Sequence, residues 1–367
     1  MNGTTMARNS TESEEKNIKL VNLPYSWTIL IMIIMTLVLV LTIIGNITVM
    51  IVLRYSRALN SFVNSHFLVS LSTADLLVAI LVMPGALDAV HSGWWRCGRI
   101  WGICNGFGNF LFCISSIMHL MMLSIDRYLA IVRPLFYPLE MTKSRAICLC
   151  FVLWIYSAIW AFLPLFGVSS YECFITYIGT CKAEDWSKYG LNFAFAISVV
   201  SGTYGLALMM MAFVYWKIAR VIRSQHQRIG DVTLSSQKQR VNNREARKLK
   251  RNKGLATLMI VTLVYLICWS PFCVLLFIEI GTGQKVEGPY STVSMLVGFT
   301  NSCCNPIIYS IKYRRFRRAV LSMIGKTTSV MKFSISNGGL TSMAQEYTAR
   351  RVETIGRTGL RLRIKMN

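Results

Sequence analysis

The chain has 367 residues, 54% of them hydrophobic and only 15% charged, yet it carries a formal net charge of +23. So apolar a composition excludes an ordinary soluble domain. The placement of the charge excludes a nucleic-acid binder: 31 of the 39 Lys and Arg residues fall in 54–61, 127–145, 217–253 and 312–367, every second connection between long apolar runs.

Residues 1–25 form a polar tail. It carries two glycosylation triplets, NGT at Asn2 and NST at Asn9, of the kind accepted on an extracellular segment. No cleavable signal peptide is visible, so the first apolar run is expected to target the chain. Uncharged runs then cover 20–53, 100–125, 146–171, 189–216, 254–278 and 288–311, and a seventh, 58–87, is broken only by Asp75. Each exceeds the roughly 20 residues needed to cross the hydrocarbon core. Backbone groups in lipid must be satisfied within their own segment, so each run is expected to be a spanning helix. Basic residues accumulate in the cytoplasm, which predicts an extracellular N-terminus and a cytoplasmic C-terminus. The same basic loops would attract anionic lipid.

The longest connection, 217–253, reads as a continuation of the helices on either side, interrupted by the turn-rich RIGDVTLSSQKQ at 228–239. After the last span, KYRRFRRAVLSMI at 312–324 sets Phe316, Val320 and Leu321 at helical spacing among arginines, the pattern of an amphipathic helix on a membrane surface. From residue 325 the chain has no periodic apolar pattern and is expected to be disordered. The predicted architecture is therefore all-α: a tail (1–25), a seven-transmembrane helix bundle (26–312), a short amphipathic eighth helix (313–324) and a cytoplasmic tail (325–367). No nucleophile–base pair or phosphate-cradling loop is present, so no enzyme is expected.

Polar groups inside a span are costly and should face the interior. Asp75 lies mid-span, with Asn46, Ser116, Asn301, Ser302 and Asn305 at similar depth. A carboxylate among neutral oxygens suits a hard cation such as sodium, or equally a protonated, hydrogen-bonded network. Pro84, Pro164, Pro271 and Pro306 each remove a helical hydrogen bond. Two have telling neighbours: CWSPF (268–272) puts Trp269 beside a kink, and NPIIY (305–309) pairs a kink with Asn305 and Tyr309. Of eleven cysteines, Cys97, Cys104, Cys173 and Cys181 fall near the outer face, where disulfides are stable.

These residues together resemble the rhodopsin-like (class A) G protein-coupled receptors over about residues 25–325. The motifs are GN at 45–46, SLSTADLL at 70–77, DRY at 126–128, Trp154, CWSPF and NPIIY, one per span and in order. The resemblance implies signalling through a heterotrimeric G protein, with arrestin as a further partner. It makes Arg127 the coupling residue, held at rest by Asp126 and followed by Tyr128. It makes Leu135 the apolar knob that enters the G protein, and Tyr215 and Tyr309 the tyrosines that brace the open state. It tips Asp75, Ser116, Asn301 and Asn305 towards a sodium site. It also implies a disulfide. The usual third-helix position is Gly102, so Cys104, two residues on, is paired with Cys181, and Cys97 with Cys173 is a second candidate.

The departures are as informative. Where relatives place an acid that locks the coupling arginine, this chain has Arg251, which implies raised basal activity. The fifth span has Ala207 where a proline is usual, and Tyr265 replaces a phenylalanine below Trp269. SIMHLMMLSIDRYLAI looks most like biogenic-amine receptors, but their ammonium-binding Asp is Asn109 here. Asp88, Glu172, Glu279 or Glu287 is expected to supply a substitute carboxylate near the mouth. GFGNFLFCISS is similar to opsins, but the retinal lysine position is Phe299, which excludes covalent retinal. A neutral indole of the melatonin type would tolerate Asn109. The small-molecule pocket implied by the resemblance is Asn109, Phe110, Cys113, Val199, Val200, Thr203, Trp269, Phe272, Cys273, Met295 and Phe299, of which Val199 and Cys273 read equally as packing residues. A non-signalling receptor-like partner remains an alternative. A transporter or channel would need paired charges through several spans or inverted repeats, and neither is seen.

Overall fold

The computed structural model describes residues 24–56, 63–93, 95–168, 171, 191–230, 238–282, 286, 289–312 and 316–323. Among these residues seven long helices form one bundle. They are α1 (Tyr25–Tyr55), α2 (Asn64–Ser92), α3 (Gly98–Val132), α4 (Lys143–Phe166), α5 (Leu191–Val200, Ser201–Gly205 and Leu206–Gly230, continuous), α6 (Lys238–Thr282) and α7 (Tyr290–Lys312). A further helix, α8, spans 316–323 and belongs to a separate compact unit that begins at Arg314. The glycosylation triplets at Asn2 and Asn9, residues 231–237, Cys173, Cys181 and the tail from 324 lie outside the described residues.

Six of the seven helices are long and apolar enough to cross a membrane by length and composition. The exception is α7, whose polar side chains lower its mean hydropathy. Those side chains point inward: Ser291, Thr292, Ser294, Asn301, Ser302 and Asn305 are all buried. The outer surface is the reverse of a soluble protein's. Ile33, Phe151 and Ile267 are each more than 60% exposed, as expected of helices that face lipid.

α3 is the axis of the bundle. Its most apolar window is 78% buried, against 22% for α1, and it packs against α2, α4, α5 and α6. Association between helices in lipid relies on close packing, which small residues permit. Gly45 on α1 is such a residue: an added Cβ would lie 2.8 Å from the Pro306 ring on α7. Gly202 on α5 is another, with the Trp160 ring 2.7 Å from an added Cβ. Hydrophilic contacts fix the register. Asn46 Nδ2 donates to the Ser302 carbonyl at 3.1 Å, tying α1 to α7. Trp154 Nε1 donates to Ser70 Oγ at 2.9 Å, tying α4 to α2.

Irregular turns inside helices free backbone carbonyls, and side chains from neighbours satisfy them. In α2 a π turn, Val78–Val82, precedes Pro84. Asn105 Nδ2 from α3 donates to the carbonyls of Leu81 (3.2 Å) and Val82 (3.0 Å). α5 keeps a π turn at Ser201–Gly205 although its usual proline is absent. Here Tyr156 from α4 donates to the Gly202 carbonyl at 2.6 Å, and Tyr265 from α6 to that of Tyr204 at 3.4 Å. The substitution of Tyr for Phe at 265 thus supplies a hydroxyl to a carbonyl in the turn.

Candidate functional site

A cavity opens between α3, α5, α6 and α7. Ten of the eleven expected ligand residues line it: Asn109, Phe110, Cys113, Val199, Val200, Thr203, Trp269, Phe272, Cys273 and Met295. Val199 and Cys273 line the cavity as well as packing against neighbours. The correction is Phe299. It is 2% exposed, sits in the core cluster with Met295 and Cys303, and does not reach the cavity. The Trp269 ring packs beside the neighbouring Gly298, 3.7 Å from where a Cβ would be. Ser291, Ser294, Tyr204 and Glu279 also line the cavity, and of these the sequence had suggested Glu279 alone, as one of four carboxylates. The volume is about 90 Å³, small beside the several hundred Å³ of many ligand pockets, so the shape favours a compact ligand. The walls are mainly apolar. Asn109 is already engaged, its Oδ1 accepting from Cys113 Sγ at 3.3 Å. A larger groove of about 610 Å³ lies between α1, α2 and α4 and contains none of these residues.

Below the cavity, Asp75 is fully buried at the centre of a polar knot. Its Oδ1 accepts from Ser116 Oγ at 2.7 Å and Ser302 Oγ at 2.9 Å, and its Oδ2 from Asn305 Nδ2 at 3.0 Å. Ser302 was expected at this depth but not as a direct partner. Asn301, one turn before Asn305, is buried with its Oδ1 unpartnered among the described residues. A carboxylate, two hydroxyls and an orphaned amide oxygen are all hard oxygen donors, and they fit a hard monovalent cation better than a soft metal.

At the far end of α3, Asp126 is buried and Arg127 is 28% exposed. Arg127 Nη2 lies 3.3 Å from Asp126 Oδ2, an ion pair without hydrogen-bond alignment. The other oxygen, Oδ1, accepts from the Tyr137 hydroxyl at 2.7 Å. Burial, and then the Asp126 charge, push the Tyr137 phenol well above its usual range, so it stays protonated and donates. Tyr137 belongs to a helical turn, Tyr137–Glu140. That turn is held by an Arg133–Glu140 ion pair at 3.4 Å and by Arg145 Nη1 donating to the carbonyls of Leu139 and Glu140 at 2.9 and 3.0 Å. Leu135, two residues before that turn, is 86% exposed. Arg127 and Tyr309 line one small cavity with Leu123 and Val261. Tyr215 bridges α3 and α6 through Ser124 Oγ (3.2 Å) and Thr262 Oγ1 (2.7 Å). Tyr128 is half-buried beside Arg127. The Arg251 side chain lies outside the described residues.

Near the outer face, Cys97 and Cys104 are exposed and bridged to none of the described residues. The space that a cysteine at 102 would need is taken by Trp95, whose indole nitrogen would lie 3.2 Å from a Cβ there.

Comparison with known proteins agrees with this arrangement. The family "7 transmembrane receptor (rhodopsin family)" matches residues 45–309. The histamine H2 receptor of Canis lupus familiaris is 30% identical over 300 residues, covering 79% of this chain and 78% of that protein. The octopamine receptor beta-1R of Drosophila melanogaster is 30% identical over 298 residues, covering 76% and 58%. Squid rhodopsin has the same fold, with a TM-score of 0.71 at 20% identity over 83% of this chain and 87% of that one. A seven-helix bundle with its buried Asp75, its cavity over Trp269 and its Asp126–Arg127 pair, matched over most of its length, belongs to the rhodopsin family of seven-transmembrane receptors, which are multi-pass membrane proteins and not enzymes.

Proposed function

We propose that the chain is a plasma-membrane receptor for a small extracellular ligand of the amine class, and that it catalyses nucleotide exchange on a heterotrimeric G protein. Its N-terminus faces outside and its C-terminus the cytoplasm. The observation that carries this reading is that cavity and coupling pair share one uninterrupted helix. Asn109 and Arg127 both lie on α3, about 27 Å apart at 1.5 Å per residue. Between them the polar knot at Asp75 and the Tyr215 bridge to α6 offer groups that can be rearranged when a ligand presses on Trp269. Such paired arrangements are the physical basis of two-state switching. The similarity to histamine and octopamine receptors supports an amine.

The remaining parts of the reading follow from the same residues. Asp75, Ser116, Asn301 and Asn305, with Ser302, would hold a sodium ion in the resting state, and its loss would accompany opening. Leu135 would insert into the G protein, and Tyr309 would join Tyr215 around Arg127. Cys104 pairs with Cys181 across the outer face; peptide mapping without reductant that recovers Cys104 as a free thiol would refute this. Arrestin and anionic lipid meet the basic cytoplasmic segments.

The deciding experiment is ligand-free GTP exchange on a panel of Gα proteins, with this chain and its Arg127→Ala variant in membranes. Exchange that disappears in the variant supports the receptor reading and identifies the Gα class. Equal exchange with both forms removes Arg127 from coupling. No exchange with either form, together with none after addition of amines, favours a non-signalling partner.

A further inference from the structure

The larger groove between α1, α2 and α4 has no part in the reading above. It is lined by the last turns of α1 (Met50 to Tyr55), the first turns of α2 (Ser65 to Ser70) and the early turns of α4 (Ile147 to Trp154). These ends adjoin the basic connections 54–61 and 127–145. In the orientation proposed above, the groove therefore stands at the level of the cytoplasmic leaflet.

The groove is amphipathic. Its walls include Met50, Ile51, Val69, Ile147 and Phe151, and Phe151 is 65% exposed, as a lipid-facing wall would be. Trp154 and Ser70 also line it, and the hydrogen bond between them holds that part in shape. The polar lining lies at the helix ends, with Arg54, Tyr55 and His66, and no Asp or Glu is among the described lining residues. Lys143 is one turn of α4 before Ile147 and near enough for its charge to act on the His66 ring. Neither Arg54 nor Lys143 has an ion-pair partner among the described residues.

His66 carries a second signal. Its Nε2 is buried with no hydrogen-bond partner among the described residues, a state that buried polar atoms rarely keep. A turn of the ring towards the groove would bring that nitrogen to a bound headgroup. Basic pockets between spans on the cytoplasmic side suit anionic lipid headgroups, and Arg is well shaped to grip a phosphate. Apolar walls favour an acyl chain, which loses contact with water or looser lipid there. The volume of about 610 Å³ is in the range of sites that enclose a bound molecule.

We propose that this groove binds one anionic glycerophospholipid of the cytoplasmic leaflet. Its phosphate meets Arg54 and Lys143, within reach of His66, and one acyl chain lies along Val69, Ile147 and Phe151. The placement in that leaflet rests on the receptor reading above; the site itself does not.

The test uses the purified full-length chain in phosphatidylcholine nanodiscs. A small fraction of the lipid carries a photoactivatable diazirine in its acyl chain, as phosphatidylserine in one sample and phosphatidylcholine in the other. After irradiation, labelled residues are mapped by peptide mass spectrometry. The groove is compared with Ile33 and Ile267, which are exposed on other faces. Phosphatidylserine is expected to label the groove at least about fivefold more than phosphatidylcholine, with no such preference at Ile33 or Ile267. Arg54→Gln and Lys143→Gln should each lower the preference, and the double variant should erase it. Lys217→Gln with Arg220→Gln removes equal charge from α5 and should leave the preference in place. The proposal is overturned if the two lipids label the groove equally in wild type, if the preference survives the double variant, or if the α5 variant lowers it as much. A sterol that displaces phosphatidylserine from the wild-type groove would assign it to a sterol and overturn the proposal too. The wild-type comparison needs no variant, so misfolding cannot shield the idea. Both nanodisc leaflets hold the probe, so the result does not depend on orientation. Exchange dependent on Arg127 is a separate measurement, and the two readings can fail separately.

Discussion

The Tyr137 hydroxyl donates to Asp126 at 2.7 Å, and through that acid it reaches Arg127, the residue proposed to engage the G protein. A loop side chain thus shares control of the coupling pair with the helix itself. Hydrogen bonds to charged groups contribute about 1.5–3 kcal/mol. Tyr137→Phe should therefore weaken the hold on Asp126 and shift the population towards the open form. Ligand-free GTP exchange should rise about fivefold, the lower end of ordinary coupling energies. Exchange that stays at the wild-type rate would show that the bond serves only to fold the loop.

The polar knot at Asp75 makes a second expectation. Wild-type protein should unfold at a higher temperature in NaCl than in KCl of equal ionic strength, because a ligand that binds only the folded state stabilises it. Asp75→Asn keeps the shape, removes the charge, and should abolish the difference between the two salts. A sodium effect of equal size in both proteins would place the ion elsewhere.

Much of this was legible in the sequence, and the boundary has a physical reason. The spans could be read because lipid demands long uncharged runs. Asp75 and its partners Ser116 and Asn305 stood out because a charge at that depth needs company. Ser302 was visible at the right depth, but only the helix rotation shows that its hydroxyl reaches Asp75. Tyr137–Asp126, Asn105 over the α2 carbonyls and Tyr265 over the α5 carbonyl were not legible. Each joins separate elements, and nothing in local composition marks which donor meets which acceptor. Phe299 was placed in the cavity because its position carries a ligand group in relatives. The ring instead fills the core with Met295 and Cys303. Only the structure shows that Glu279, and not Asp88, lines the cavity.

The basic residue at 251 carries the proposal of raised basal activity: an acid in that place would attract a nearby Arg127, and a second arginine would repel it. Arg251→Glu should lower ligand-free exchange, by about fivefold if the new pair gains roughly 1 kcal/mol. Unchanged exchange would sink the idea that a missing lock raises basal activity here.

Packing gives a prediction independent of signalling. Gly202→Ala would drive a Cβ to 2.7 Å from the Trp160 ring, and overpacking of this kind costs about 1–3 kcal/mol. The unfolding midpoint in nanodiscs should fall by several degrees, and Trp160→Leu in the same chain should restore part of the loss. A midpoint within error of wild type would mean that α4 gives way at no cost.

The π turn in α5 has a geometric consequence. One residue more than an α-helix would use is accommodated there, and each residue of an α-helix advances the chain by about 100°. The lower half of α5 is therefore out of phase with the upper half by that amount. Val199 and Val200 face the cavity, and fifteen residues below Val200 the hydroxyl of Tyr215 meets Thr262. Elsewhere in the family a proline locks such an offset into the backbone. Here the residue at 207 is Ala, and two tyrosines reaching in from α4 and α6 donate to carbonyls of the turn. Withdrawal of either hydroxyl would let α5 rewind like a slipped gear tooth, turning Tyr215 off Thr262 while the cavity wall stayed where it was.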